Sequence, residues 1–160
     1  MVVVGIIGVL AVCVAPALSQ LSGAREEAAI RDVERVFTQA RTRAMGTGEP
    51  TGVTVDTDAG TLQLIAISGP GKSPAPAPDA SGGPSSLWVL EAMYPGVKFG
   101  AFTNGDGQAT GTVWFAYDGT PQIRGTSGEI MSNFGVDGSL VVGSATVYVR
   151  KTTGLVERGS

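Results

Sequence analysis

Residues 25–45 read REEAAIRDVERVFTQARTRAM, and this stretch decides the fold. Its apolar side chains recur every three or four residues, which is the spacing of one face of an α-helix. Those apolar positions are Ile30, Val33, Phe37 and Ala40. Acidic and basic side chains nearly balance at the other positions, so we predict a helix that packs one face on a sheet and turns the other to solvent. The glycines and the proline of GTGEP, at 46–50, end this helix.

The segment before this helix, MVVVGIIGVLAVCVAPAL at 1–18, is almost wholly apolar and carries no charged side chain. With the few residues after it, the segment provides about 21 positions, or about 31 Å of helix, which matches the core of a bilayer. A helix is expected in lipid because the backbone has no other hydrogen-bonding partner there. We therefore predict one continuous helix, with a transmembrane part at 1–24 and an amphipathic part at 25–46.

Two other interpretations of the apolar segment compete with a retained anchor. A secretory signal would use the small residues Ala15 and Ala17, but no basic region precedes the apolar stretch. A lipoprotein signal would use Cys13, but Val12 is bulky where a small residue is required. We favour the retained anchor, because the helical pattern continues without a break past both cleavage points.

The composition favours turns and short strands, and it argues against several kinds of chemistry. The chain has 24 glycines and 9 prolines, which is typical of a turn-rich β-structure. It has no histidine, its one cysteine leaves no intrachain disulfide, and it contains neither a nucleophile elbow nor a phosphate-binding loop. The net charge of −3 argues against capture of nucleic acid by the whole molecule. We therefore expect no enzymatic activity, no catalytic residue and no cofactor.

Alternating segments predict a β-rich globular domain at 51–160. Thr51–Thr57 and Thr61–Ile67 flank the turn Asp58-Ala59-Gly60, which is a hairpin signal. Further strands are predicted at Leu87–Ala92, Val97–Phe102, Thr112–Tyr117, Leu140–Val142, Thr146–Arg150 and Leu155–Arg158. The Pro/Ala/Gly/Ser-rich residues 68–86 predict an extended or mobile loop. The expected fold class is α+β, with the helix packed on an antiparallel β-sheet.

Acidic turns and aromatic side chains each have a functional and a structural interpretation. Two turns carry oxygen ligands for calcium, but each lacks the full ligand set of a calcium loop and suits an ordinary turn, so we expect no metal site. These turns contain Asp56 with Asp58, and Asn104 with Asp106. Aromatic side chains at alternating strand positions fit the core better than a binding surface. They are Trp88, Trp114, Phe115 and Tyr117.

A small group of basic side chains could contact the phosphates of a nucleic acid. The group consists of Arg150, Lys151 and Arg158 near the C-terminus, with Arg124 as a fourth candidate. Because the chain is acidic overall, the favoured interpretation is a solvated hairpin edge whose charges resist strand-to-strand aggregation.

The long helix resembles the N-terminal helix of type IV pilins and type II secretion pseudopilins. The resemblance rests on VVVGIIGVLAVCVAPAL at 2–18, with Pro16 where those proteins carry a helix-loosening proline. The Ala/Arg-rich stretch after it is similar to the GspH/FimT group, and SATVYVRKTTGLVE at 144–157 resembles that group's last hairpin. Those proteins begin with a basic leader, a Gly-Phe cleavage point and a glutamate, and this sequence starts where the family is already inside the helix. A late start codon or a truncation would account for that difference.

The resemblance implies a pilin-like fold and a structural minor subunit of a periplasmic pseudopilus in the type II secretion system. The implied location is the bacterial inner membrane, crossed once, with the C-terminal domain in the periplasm. The implied partners are other pilin-like subunits, inner-membrane lipid and exported protein cargo, with DNA less favoured. Two alternatives stay open: a minor type IV pilin that contacts DNA during uptake, and a single-pass anchored binding domain that does not polymerise.

Assembly of such a subunit would depend on helix-to-helix packing. Helices that leave lipid for one another gain little hydrophobic energy, so small residues and close approach must hold them together. The implied membrane and assembly positions are Val4, Gly5, Ile7, Gly8, Leu10, Ala11, Ala15, Pro16 and Leu18. Pro16 removes one helical hydrogen bond, which would let the helix bend at that point.

Overall fold

The long helix, α1, spans Val2–Thr47 and ends where the sequence predicts. Gly48 adopts a φ of 72°, a left-handed conformation that favours glycine, and its N–H donates to the Ala44 carbonyl at 3.0 Å. The computed structural model describes residues 2–69, 71, 73–78, 82–106 and 111–159, with side chains from Leu21 onward.

Eleven strands and one short helix follow α1 in the described residues. In chain order they are β1 (Thr51–Asp56), β2 (Thr61–Ala66), β3 (Ala75–Pro76), β4 (Trp88–Val89), α2 (Leu90–Met93), β5 (Phe99–Thr103), β6 (Gly111–Phe115), β7 (Pro121–Arg124), β8 (Ile130–Asn133), β9 (Gly138–Val142), β10 (Ala145–Val149) and β11 (Val156–Arg158).

These strands form two antiparallel sheets. The larger sheet has the order β3-β2-β1-β6-β7-β8, with β4 also paired to β2, and the smaller has the order β11-β10-β9-β5. The predicted hairpin of β1 and β2 is confirmed, with Asp56 opposite Thr61 at its turn. A second tight hairpin joins β9 to β10, where Val142 lies opposite Ala145.

The hydrophobic core lies between α1 and both sheets. The helix contacts β1 and β6 of the larger sheet and β9, β10 and β11 of the smaller one. Burial alternates along β9 and β10, as expected for strands with one face on a core. The largest fully buried side chains include Phe37, Phe115, Ile30, Leu62 and Leu140. The predicted α+β class, with an N-terminal helix on antiparallel strands, is confirmed.

Three details of the predicted sheet are wrong. The strands divide between two sheets, and β7 and β8 were missing from the prediction because each has only four residues between glycine-rich turns. The segment predicted as a strand at 87–92 contains only the two-residue β4 before the chain turns into α2. The turn forms because Leu90 is buried in the core and its N–H donates to the Gly60 carbonyl at 2.9 Å.

The described parts of the proline-rich loop are extended and lie along the edge of β2. Ala77 is fully buried, and its N–H donates to the Leu64 carbonyl at 2.9 Å. The Ser85 hydroxyl donates to the same carbonyl at 2.8 Å, and Pro78 and Pro84 form an isolated β-bridge. The loop therefore covers backbone groups that an open sheet edge would expose.

The predicted location, a single crossing of the bacterial inner membrane with a periplasmic domain, requires correction. None of the helices is long and apolar enough to cross a membrane within the described residues. The described part of α1 carries five arginines and four acidic side chains between Arg25 and Arg43, and such a density of charge is unfavourable in hydrocarbon. Most of the predicted transmembrane part, at 1–20, lies outside the residues whose side chains are described.

Candidate functional site

The residues predicted to pack the helix on the sheet lie in the centre of the core. Each is at most 1% exposed, and all four belong to the hydrophobic cluster that α1 shares with the two sheets. They are Ile30, Val33, Phe37 and Ala40. Val36 belongs to the same buried face, although it was not among the residues predicted to pack there.

The positions predicted for helix packing between subunits lie outside the described side chains. They are Val4, Gly5, Ile7, Gly8, Leu10, Ala11, Ala15, Pro16 and Leu18. The first described side chains of α1, at 21–25, are all exposed, and Ala29 is the first one that is buried. The helix therefore contacts the β-rich domain from Glu26 onward and is buried against it from Ala29 onward.

Glu26 ties α1 to the turn between β9 and β10. Its Oε1 accepts hydrogen bonds from the backbone N–H of Ser144 at 2.6 Å and from the Ser144 hydroxyl at 2.5 Å. These two bonds hold the pKa of the Glu26 carboxyl below its ordinary value. Gly143 has a φ of 59°, and a Cβ at that position would collide with the Glu26 side chain. The glycine therefore permits both the turn and the close approach of the helix.

We predict that the contact between Glu26 and Ser144 weakens in acid. The pKa of Glu26 in the folded chain lies below its ordinary value of 4.5, so the contribution to stability is complete above that value. It is lost as the pH falls through the lower folded value. Amide exchange measured by NMR should show a falling protection factor at Ser144. In the variant Glu26→Gln, protection should already be reduced at neutral pH and should depend less on pH; an unchanged profile would contradict the prediction.

Glu27 connects α1 to β11 through Arg158. Nη1 of Arg158 donates to Oε2 of Glu27 at 2.5 Å, and Arg31 donates to the other oxygen at 3.2 Å. The hydrogen bond from Arg158 is the largest cause of the lowered pKa of Glu27. Arg158 was selected from the sequence as a candidate phosphate contact, but here it pairs with a carboxylate of the helix.

Asp32 connects α1 to the segment after α2. The Tyr94 hydroxyl donates to one oxygen of Asp32, and Arg35 donates to the other at 3.2 Å. The hydrogen bond to Asp32 raises the pKa of Tyr94. The Arg35 guanidinium also lies over the Trp88 ring, 5.2 Å from its centroid, which is within cation–π range. Polar and aromatic groups therefore extend the helix attachment beyond the apolar core.

Two arginines fasten the C-terminal end of α1. Arg41 Nε donates to the carbonyls of Thr153 at 3.2 Å and Gly119 at 3.4 Å. Arg43 Nη1 donates to the Pro78 carbonyl at 3.0 Å. Both arginines were predicted to lie on a solvated face, because helical spacing does not reveal the carbonyls of distant turns.

The remaining predicted basic residues do not form a free cationic patch. Arg150 pairs with Asp137 at 2.8 Å and with Glu157, and these carboxylates raise its pKa. The backbone N–H of Lys151 donates to Asp137 at 2.8 Å. Arg124 lies on β7 of the larger sheet, whereas the others belong to the smaller sheet or the turn beside it.

The acidic turns that were considered for calcium are held by side-chain hydrogen bonds of their own. Asp56 accepts from the Ala59 N–H at 2.8 Å, and Asn104 accepts from the Asp106 N–H at 3.0 Å, so both side chains stabilise turns. Among the described residues, no group of three or more histidine, cysteine or acidic side chains is arranged to hold a metal.

Trp114 and Phe115 are buried and Trp88 is half-buried. Tyr117 is 71% exposed, because it belongs to the turn after β6.

The exposed side chains of α1, together with Val156 of β11, line a shallow surface depression of about 840 Å³, and we call its α1 side the polar helix face. Its side chains combine both signs of charge with hydroxyl and amide groups. They include Arg31, Glu34, Arg35, Thr38, Gln39 and Thr42.

No known protein family, curated protein or solved structure matches this chain. Its function is therefore inferred from its own residues and their contacts.

Proposed function

We propose that this chain is a structural, non-catalytic minor subunit of a pilin-like filament, of the type II secretion pseudopilus class. The observation that carries the proposal is the way α1 joins the β-rich domain. One face of the helix is buried from Ala29 to Ala44, while residues 21–25 lie exposed ahead of the domain. A helix that is buried in a domain along one part and exposed at residues 21–25 suits packing against the helices of neighbouring subunits.

The polar contacts along α1 support this interpretation. Glu26, Asp32 and Arg41 bond to three separate segments of the β-rich domain, the last at the far end of the helix. Together with the buried apolar face, they prevent the helix from moving independently of the sheets. A subunit of this kind passes a force on its helix directly to its outer domain, as a filament component must.

The polar helix face supplies a second contact surface in the proposed filament. Arg31 and Arg35 are paired with acidic residues of the same helix, so Glu34 and the hydroxyl and amide groups of this face are the side chains that would contact a neighbouring subunit. The pairing of Arg150 and Arg158 with carboxylates favours protein partners over DNA, because phosphate binding would have to break those pairs.

We predict that cysteines in the first half of α1 crosslink this chain to other pilin-like subunits. The full-length protein is expressed in its native host with Cys13→Ser and Gly8→Cys, oxidised, and analysed by mass spectrometry. Close helix packing should give disulfide-linked species that contain a second copy or another pilin-like protein carrying its own cysteine. The native Cys13 offers a second position for the same measurement.

A matched control places the cysteine on the β-rich domain, at Ser132→Cys in the same Cys13→Ser background. Ser132 is exposed on the edge strand β8. Crosslinks at Gly8 without crosslinks at Ser132 would support packing through the helices. The proposal is overturned if the Gly8 variant gives no crosslinks, or if it gives the same unselective products as the control.

A further inference from the structure

Arg124 forms no ion pair with a described carboxylate. The side chain is half-buried. Nη1 donates to the Gly128 carbonyl at 2.8 Å and Nη2 to Gln122 Oε1 at 2.9 Å, while Nε is buried without a hydrogen-bond partner. Burial lowers the pKa of Arg124, whereas carboxylates raise that of Arg150. A partly desolvated guanidinium without a counter-ion is unfavourable unless an anion joins it.

Arg124 borders two cavities, and only one of them suits an anion. The larger, of about 500 Å³, is also lined by Glu49 and Glu129, whose carboxylates would repel a negative ligand. The smaller, of about 320 Å³, has no acidic side chain among its described lining residues. Arg124 is the one charged side chain in that described lining, so it is the group that an anion in the smaller cavity would contact.

The smaller cavity lies on the face of the larger sheet that is opposite α1. Side chains alternate along β6, and because Val113 and Phe115 join the helix-facing core, Thr112 and Trp114 project from the other face. Ile65 and Pro74 add apolar surface beside Trp114, and Thr126 adds a hydroxyl from the turn after β7. Small-molecule sites in proteins have this composition: a mostly apolar lining, a few placed polar groups and volumes of about 300–1,000 Å³.

We propose that this cavity binds a carboxylate attached to a small apolar group, with the carboxylate on the Nη atoms of Arg124 and the apolar group against Trp114 and Pro74. A carboxylate carries a single charge, which the single guanidinium matches, and the fork of the guanidinium suits its two oxygens. A phosphate monoester carries a charge of about −1.5 to −2 at neutral pH, which one guanidinium does not balance. The proposed site does not depend on filament assembly.

The test compares phenylacetate with phenylacetamide, which has nearly the same shape but no charge. Binding to the full-length chain is followed by the fluorescence of Trp114, in the variant Trp88→Phe so that the other tryptophan does not contribute. Phenylacetate should bind at least tenfold more tightly than the amide, because hydrogen bonds to charged groups are about twice as strong as neutral ones. Equal binding of the two compounds, or no binding of either, overturns the proposal, and this result does not require a variant of Arg124.

Two further comparisons locate the contact and its source. Arg124→Gln should abolish the preference for phenylacetate, while Arg150→Gln, which removes a paired arginine, should retain it; a preference that survives Arg124→Gln overturns the proposal. The tripeptide Ala-Ala-Phe and its C-terminal amide then distinguish a chain terminus from a free acid. Tighter binding of the tripeptide than of phenylacetate assigns the carboxylate to a peptide C-terminus, and the reverse order assigns it to a free organic acid. Either order supports the proposed chemistry.

Discussion

Replacing Phe37 with alanine should destabilise the folded chain by about 3–5 kcal/mol, the range measured for truncation of a buried aromatic side chain. Phe37 is 1% exposed and is among the largest fully buried side chains of the protein. It lies on the face of α1 that contacts both sheets, so its ring packs where the helix and the two sheets meet. Truncation removes the apolar transfer energy of the ring and leaves a cavity that three packed elements cannot easily close.

Urea unfolding of the full-length chain, followed by tryptophan fluorescence, measures this loss directly. Thr38→Ala is the matched control, because it lies next in sequence but on the polar helix face and is exposed. The control should change the free energy of unfolding by no more than about 0.5 kcal/mol. If the two variants lose stability equally, the helix does not pack on the sheets through the face described above.

The helix register was predictable from sequence for a physical reason. Burial of one face imposes the three- and four-residue spacing, and this is why Ile30 and Phe37 could be assigned to the core. The hairpin of β1 and β2 was predictable because turn residues separate two alternating segments. By contrast, the turn that begins at Leu90 depends on a hydrogen bond to Gly60, thirty residues away in the chain. No local pattern encodes such a bond.

The candidate sites were less predictable, because they depend on pairing between distant residues. A sequence can show that Arg158 is basic, but not that it lies against Glu27, 131 residues earlier. Arg150 and Arg124 look alike in sequence, yet Arg150 pairs with two carboxylates, whereas Arg124 pairs with none among the described residues and borders one cavity whose described lining has no acidic side chain. The combination of an arginine outside the described ion pairs and a cavity lining without acidic side chains therefore makes Arg124 the candidate for ligand binding.

Gly154 shows how strongly the last hairpin is constrained by the turn between β6 and β7. It has a φ of 64°, and its N–H donates to the Arg150 carbonyl at 2.8 Å. A Cβ at this position would overlap the carbonyl oxygen of Gly119, which is backbone and cannot rotate away. Arg41 donates to that same oxygen and to Thr153, so the turns and the helix end are fixed together.

Gly154→Ala should therefore lower the free energy of unfolding by about 2–5 kcal/mol, as the sum of about 1–2 for a left-handed alanine and about 1–3 for overpacking. Gly60→Ala separates the two effects, because Gly60 has nearly the same φ, 65°, but open space where the Cβ would lie. That control should lose only about 1–2 kcal/mol. Urea unfolding of both full-length variants measures the difference. A similar loss in both would mean that the turn at Gly119 yields to the added methyl group, and that Arg41 does not hold the helix end and the two turns as one unit.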